Sequence, residues 1–134
     1  MIIDVHGHLG NINMAPFWAA GAGMLEEYCA QACVDTICVS SAKSLMYDAS
    51  EGNRDLDRAL RASTKLLGYV VVNPLFPETA GDLRLMDGNP KFRGVKIHAD
   101  YHGYDLASPE IIRFLDPVAE KAGVMLFHVS CMPG

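Results

Sequence analysis

Short apolar runs alternate with longer amphipathic stretches along the whole chain. Residues 2–6 (Ile-Ile-Asp-Val-His), 36–40 (Thr-Ile-Cys-Val-Ser), 68–73 (Gly-Tyr-Val-Val-Val-Asn), 94–98 (Gly-Val-Lys-Ile-His) and 124–128 (Val-Met-Leu-Phe-His) are rich in β-branched and apolar residues and read as five strands. Helices are predicted over 24–32, 51–64, 78–86 and 109–122. The second has Ser50 as a plausible N-cap, and Leu56, Leu60 and Leu67 recur at helical spacing. Pro74 stops the third strand, and Gly88-Asn89-Pro90 ends the third helix. The last helix has the clearest boundaries. Ser108 caps it, Pro109 occupies its first position, Ile111, Leu115, Val118 and Ala122 line one face, and Gly123 terminates it.

Near-continuous apolar strands separated by amphipathic helices predict an α/β fold, a parallel sheet covered by helices. Strand starts recur about every 30 residues, so eight such units would need about 240, close to the ~250 of a (β/α)8 barrel. The chain holds four units and one more strand, (β/α)4 plus a fifth strand: half of a TIM (β/α)8 barrel, taken as one partial domain over residues 1–134. A complete open α/β domain of five parallel strands is the alternative. Length favours the open domain, and the motifs below favour the barrel.

Composition narrows the function classes. Half of the residues are hydrophobic, a fifth are charged, and the net charge is -5. The eleven Lys and Arg are scattered, which argues against a nucleic-acid partner. No apolar run approaches the roughly 20 residues of a membrane-spanning helix, and the first residues lack the pattern of a secretory signal. Cys29, Cys33, Cys38 and Cys131 form neither a CxxC pair nor a zinc-finger spacing. They read as buried or half-buried thiols of a reducing, cytoplasmic compartment.

The histidines carry the candidate chemistry. His6 (with His8 just beyond), His98 and His128 fall at strand C-terminal ends, the edge where parallel α/β folds build their sites. Residues two apart on a strand share a face, so His6 and His8 present two imidazoles side by side. That arrangement suits one divalent ion, although a strand-end histidine is often only a hydrogen-bonded polar residue. Gly7 between them allows a close backbone approach to a ligand. Asp4 has the same parity one step deeper, to orient a ligand or to fill a polar core layer.

The run Ile2-Ile3-Asp4-Val5-His6-Gly7-His8 resembles the opening strand of the amidohydrolase superfamily. Gly94-Val95-Lys96-Ile97-His98, then Asp100, Tyr104, Asp105, Leu106, Ser108-Pro109 and Ala122-Gly123-Val124-Met125-Leu126-Phe127-His128 resemble its amidohydrolase-related branch of decarboxylases, lactonases and hydratases. The resemblance implies one divalent ion, zinc before manganese, with His6, His8 and His128 as ligands. It implies a catalytic or substrate-contacting His98. Lys96 reads as substrate-facing or structural, with pairing to a carboxylate such as Asp4 as the other option. Asp100 and His102, in the loop after strand four, are substrate-contact candidates; solvated surface is the default for His102. Trp18 would lie over the metal as a lid or pack on a neighbouring helix.

The resemblance also implies a general-base aspartate on strand eight, and strands six to eight lie outside these 134 residues. The expected activity is metal-dependent hydrolysis of C–N or C–O bonds in a small-molecule substrate. The alternatives are a decarboxylase or lyase of the same branch, or a non-catalytic half-barrel module. Open edges on strands one and five predict association with a second copy, a homo-oligomer, unless the chain is a fragment of a longer product or a degenerate open domain.

Overall fold

All five apolar runs become strands, and every neighbouring pair is parallel. The computed structural model describes residues 1–12 and 21–129. In chain order the elements are β1 (Ile3–Leu9), α1 (Ala22–Gln31), β2 (Thr36–Ser41), α2 (Ala42–Met46), α3 (Ala49–Ala62) and β3 (Leu66–Val71). A 3-10 helix (Pro77–Leu83), α4 (Arg84–Gly88), β4 (Phe92–His98), α5 (Ala99–His102), α6 (Pro109–Ala122) and β5 (Met125–His128) follow. The strand order is β1-β2-β3-β4-β5. An open doubly wound sheet reverses its strand order at a switch point, whereas a barrel adds strands in sequence. The observed order makes the chain a half-barrel of five parallel strands and removes the open-domain alternative.

Most departures from the predicted elements are local. Asp48, not Ser50, caps α3: its carboxylate accepts from the Glu51 N–H at 2.7 Å. Leu67 belongs to β3 rather than to the preceding helical face. The segment predicted as one helix over 78–86 divides into the 3-10 helix and the short α4. Helices α2 and α5, five and four residues long, were not predicted because they are too short to display a 3.6-residue period. Each begins where a strand ends, on a side chain of the strand's last residue. Ser41 Oγ accepts from the Ser44 N–H, and the His98 ring accepts from the Tyr101 N–H. The α6 reading holds, with Ser108 Oγ on the Ile111 N–H. Cys29 and Cys38 are buried, as expected, but Cys33 is exposed in a turn at φ 57°, because the α1 C-terminus carries it out of the core. Cys131 and Trp18 lie outside the described residues.

Alternation along each strand sorts the sheet's two faces. Ile37, Val39, Val70, Val95 and Ile97 point outward and meet Leu56 and Leu60 of α3 and Val118 and Ala122 of α6. Leu56 and Leu60 are fully buried, each contributing about 2 kcal/mol by removal from water. Gly7 serves this layer: a Cβ there would lie 2.6 Å from Ile37 Cδ1. Its small size therefore answers to β2 packing and not to a ligand. Apolar side chains are left uncovered along the two edge strands, with Ile3, Val5, Phe127 and Val129 all exposed. No helix among the described residues is long and apolar enough to cross a membrane.

One buried polar network ties the helical layer to the sheet. The Asn53 amide of α3 accepts from the Val71 N–H at 2.9 Å and donates to the Val71 carbonyl at 2.8 Å. It also donates to Asp82 at 3.0 Å and accepts from Ser44 Oγ at 3.2 Å. Removing that amide strands several buried partners, each of which costs about 1–3 kcal/mol when left unmade. Asn53→Ala is therefore expected to lose about 3 kcal/mol of unfolding free energy in urea denaturation, against under about 0.5 kcal/mol for an exposed control such as Glu120→Ala.

Candidate active site

Strand register builds the site at the C-terminal edge of the sheet. In β4 and β5, His98 pairs with His128. Neighbouring strands lie about 4.8 Å apart, so paired side chains on one face stand ring against ring. The two imidazoles are stacked, with centroids 4.2 Å apart and planes within 11°. On the other side of His98 lies the Tyr101 ring, at 3.8 Å and 9°. In β1 and β2, His8 pairs with Ser40, and His8 Nδ1 is 3.2 Å from Ser40 Oγ.

β1 carries an irregularity between Asp4 and Gly7, where three steps along β1 match two along β2. Bulges of this kind re-aim side chains and are common beside functional sites. This one breaks the simple two-residue parity expected of Asp4 and His6. The Asp4 carboxylate accepts from the His6 backbone N–H at 2.9 Å, so it neither pairs with Lys96 nor orients an imidazole. The His6 ring turns over the concave face. It meets His8 edge-on at 5.2 Å and His128 edge-on at 5.7 Å.

The deepest group is Lys96, fully buried, with Nζ 3.1 Å from His6 Nε2. β1 and β4 are separated by β2 and β3. On a flat sheet three strand spacings would hold the two residues about 14 Å apart. The contact exists because the sheet curls, closing its concave face over Lys96, Cys38 and Tyr69.

Burial also sets the charge state. Desolvation pushes Lys96 down to about 8. It pushes His8 down to about 4, helped by the positive charges of His6, Lys96 and His128. His98 is likewise down to about 4, through desolvation first and then His128 and Lys96. His6 is lowered by desolvation and by Lys96. These three imidazoles are neutral at physiological pH, the form that binds metal.

A divalent ion sets the spacing of the rings that share it. Two imidazoles on one tetrahedral ion, at nitrogen distances of about 2.0–2.1 Å, place their ring centres about 5 Å apart. The His6–His8 and His6–His128 separations match that spacing. The donor set agrees in residue type and in the two ring spacings that His6 makes. It is not closed, however: among the described residues no group of three or more His, Cys, Asp or Glu side chains is arranged to hold a metal ion. The Lys96 amine on His6 Nε2 and the stacking of His128 on His98 show where those rings are engaged instead.

The remaining sequence candidates fall elsewhere. His102 and Asp100 sit on α5 rather than in a loop. His102 Nε2 donates to the Leu45 carbonyl of α2 at 3.2 Å, and burial lowers its pKa. The ring borders a cavity of about 210 Å³ with Tyr47, Asn73, Phe76 and Tyr101, beside the four-histidine cluster and not in it. It is half-buried, and its Nδ1 has no protein partner among the described residues, so the solvated-surface default does not hold. Asp100 is exposed at the start of α5, where its charge acts on His98. Two contributors were missed. Ser40 shares the inward parity of β2 and was legible as the neighbour of His8. Tyr101 gave no signal, because the helix that folds it back onto His98 is a single turn.

No family model matches the chain, and no curated protein does. Its class is set by architecture, an alternating β/α half-barrel of five parallel strands that resembles part of a hydrolase fold. A solved structure with this likeness is a probable 2-pyrone-4,6-dicarboxylic acid hydrolase from Acinetobacter baumannii, crystallised with citric acid bound. The TM-score is 0.61 at 18% identity, over 90% of this chain and 46% of that one. The likeness at that identity is one of fold, and this chain spans under half of the hydrolase's length.

The depressed imidazoles link stability to pH. His8 and His98 hold pKa values near 4 when folded, against 6.5 when unfolded. The unfolded chain therefore binds more protons between those values. The stability tied to the neutral rings is complete above about pH 6.5 and is lost as pH falls towards 4. Metal-free protein is expected to melt at clearly lower temperature at pH 5 than at pH 7.5, and His8→Gln to flatten part of that slope. Equal melting temperatures across the window would contradict the assignment.

Proposed function

We propose that the chain carries the metal-binding half of a hydrolase of the amidohydrolase type, acting on a small molecule at the C-terminal edge of the sheet. The observation that supports this reading is the grouping of His6 with His8 and with His128 on the concave face, at ring separations of 5.2 and 5.7 Å, near the spacing that a shared ion sets. His6, His8 and His128 would hold one divalent cation, zinc in preference to manganese. Such an ion supplies Lewis-acid polarisation of a substrate carbonyl and acidifies water.

The other residues have roles of their own. With a pKa of about 8, Lys96 is mainly protonated at neutral pH, a fixed positive charge facing the site. A buried cation of this kind stabilises negative charge developing on a substrate oxygen far better than one in water. Ser40 Oγ orients the His8 ring through Nδ1, the outer-shell partner that fixes which nitrogen faces a ligand. Asp100 and His102 extend the surface along α5 towards the cavity that His102 borders, where the rest of the substrate would lie.

Zinc titration followed by calorimetry, with elemental analysis after dialysis, tests this reading. One ion per chain is expected, and exchanging both His6 and His8 for Ala should raise the dissociation constant by about 100-fold or more, beyond the 10–100-fold typical of outer-shell partners. Negligible zinc and manganese in the unaltered chain would defeat the metal reading and leave a metal-free binding module.

A further inference from the structure

We infer that Tyr101 is a positioning residue that locks His98 as a hydrogen-bond donor through Nε2, so that His98 offers a proton to a substrate oxygen rather than removing one. The assignment rests on the proposed reading of the histidine cluster as the active site, but its geometry is independent of any metal. Two contacts with Tyr101 hold the ring. The backbone N–H of Tyr101 points at His98 Nδ1 across 3.4 Å, a long hydrogen bond that caps α5. An amide N–H can only donate, so Nδ1 must carry the lone pair and the ring proton resides on Nε2. The phenol ring meanwhile lies flat on the imidazole at 3.8 Å and 9°. His128 covers the opposite face at 4.2 Å and 11°.

The imidazole is thus the middle member of a three-ring stack: tilting it would break the stack, and placing its proton on Nδ1 would break the amide contact. The ring as a whole is 2% exposed, and its Nδ1 is taken by the Tyr101 amide. With Nδ1 held as an acceptor, the N–H of Nε2 is the ring's other polar function, and the match for it is an acceptor oxygen such as a carbonyl. A donor held in place before the reaction begins costs no reorganisation when charge builds on that oxygen. The same stack restrains His128, so Tyr101 reaches the proposed ligand through His98.

The test is the tautomeric state of His98 in metal-free protein labelled with nitrogen-15 at histidine, read from long-range proton–nitrogen correlations at neutral pH and assigned with His98→Gln. The unaltered chain should show one protonated nitrogen, Nε2, and one unprotonated nitrogen, Nδ1, in a single fixed tautomer. Tyr101→Phe keeps the ring and the amide and should retain that pattern. Tyr101→Pro removes the amide proton as well as the ring, and the two nitrogen signals should move towards a common average as the tautomers exchange. A protonated Nδ1 or averaged signals in the unaltered chain would overturn the inference whether or not any variant folds. So would an unchanged fixed tautomer in Tyr101→Pro with an otherwise native-like amide spectrum. Absence of zinc binding, by contrast, counts against the metal reading and leaves the tautomer result standing.

Discussion

Lys96 Nζ and His6 Nε2 meet across a sheet in which their strands are never neighbours. The arrangement of the concave face follows from that contact. It requires a sheet curled tightly enough to bring β1 over β4, and it places a lysine amine where barrel interiors hold branched apolar side chains. Burying an amine without a carboxylate is costly, and among the described residues Lys96 forms no ion pair. The cost appears as the fall of its pKa to about 8. Nothing in the packing of the outer face calls for a lysine here. Cys38, Tyr69 and Val71 line the same side at neighbouring positions and are neutral.

The rest of the site is assembled by register. Parallel pairing puts His98 beside His128 and His8 beside Ser40 with no freedom to choose other partners. The irregularity in β1 then turns His6 off the strand's regular alternation and over the cluster. Once grouped, the rings exclude water from one another. Desolvation and mutual repulsion keep them neutral, and neutral imidazoles are both better ligands and less repelled by Lys96. The outer face supplies the rigidity, through the Leu56 and Leu60 packing and the Asn53 network that fastens α3 to β3.

The architecture was readable in the residues because its signals are strong and local. Five apolar runs at near-constant spacing, a capped helix ending in Gly123, and His98 and His128 at strand ends survive in the fold, whereas β1 runs on to Leu9 and holds His6 and His8 within it. What escaped was set by three-dimensional detail. Helix α5 is a single turn, so nothing periodic marked Tyr101, and the loop drawn after strand four hid the ring that clamps His98. A one-residue irregularity in β1 cannot be read from alternation, and assuming perfect parity misplaced Asp4. Gly7 looked like room for a ligand, although its space is taken by Ile37 and Val39. Pairing with a carboxylate such as Asp4, one of the two readings of Lys96, follows the usual solution for a buried amine, and sheet curvature offers an imidazole in its place.

The curl that joins β1 to β4 is tested most directly by the ionisation of Lys96, followed by carbon-13 NMR of its ε-methylene in metal-free protein and assigned with Lys96→Met. A midpoint near 8, well below the 10.5 of an ordinary lysine, is the expected result. In His6→Ala the local field should change while the midpoint stays depressed, because desolvation is the main cause. A midpoint at 10.5 in the unaltered chain would mean that water reaches the amine and that the concave face is open. The contact of His6 with Lys96, and with it the grouping of His6 with His8 and His128, would then not hold.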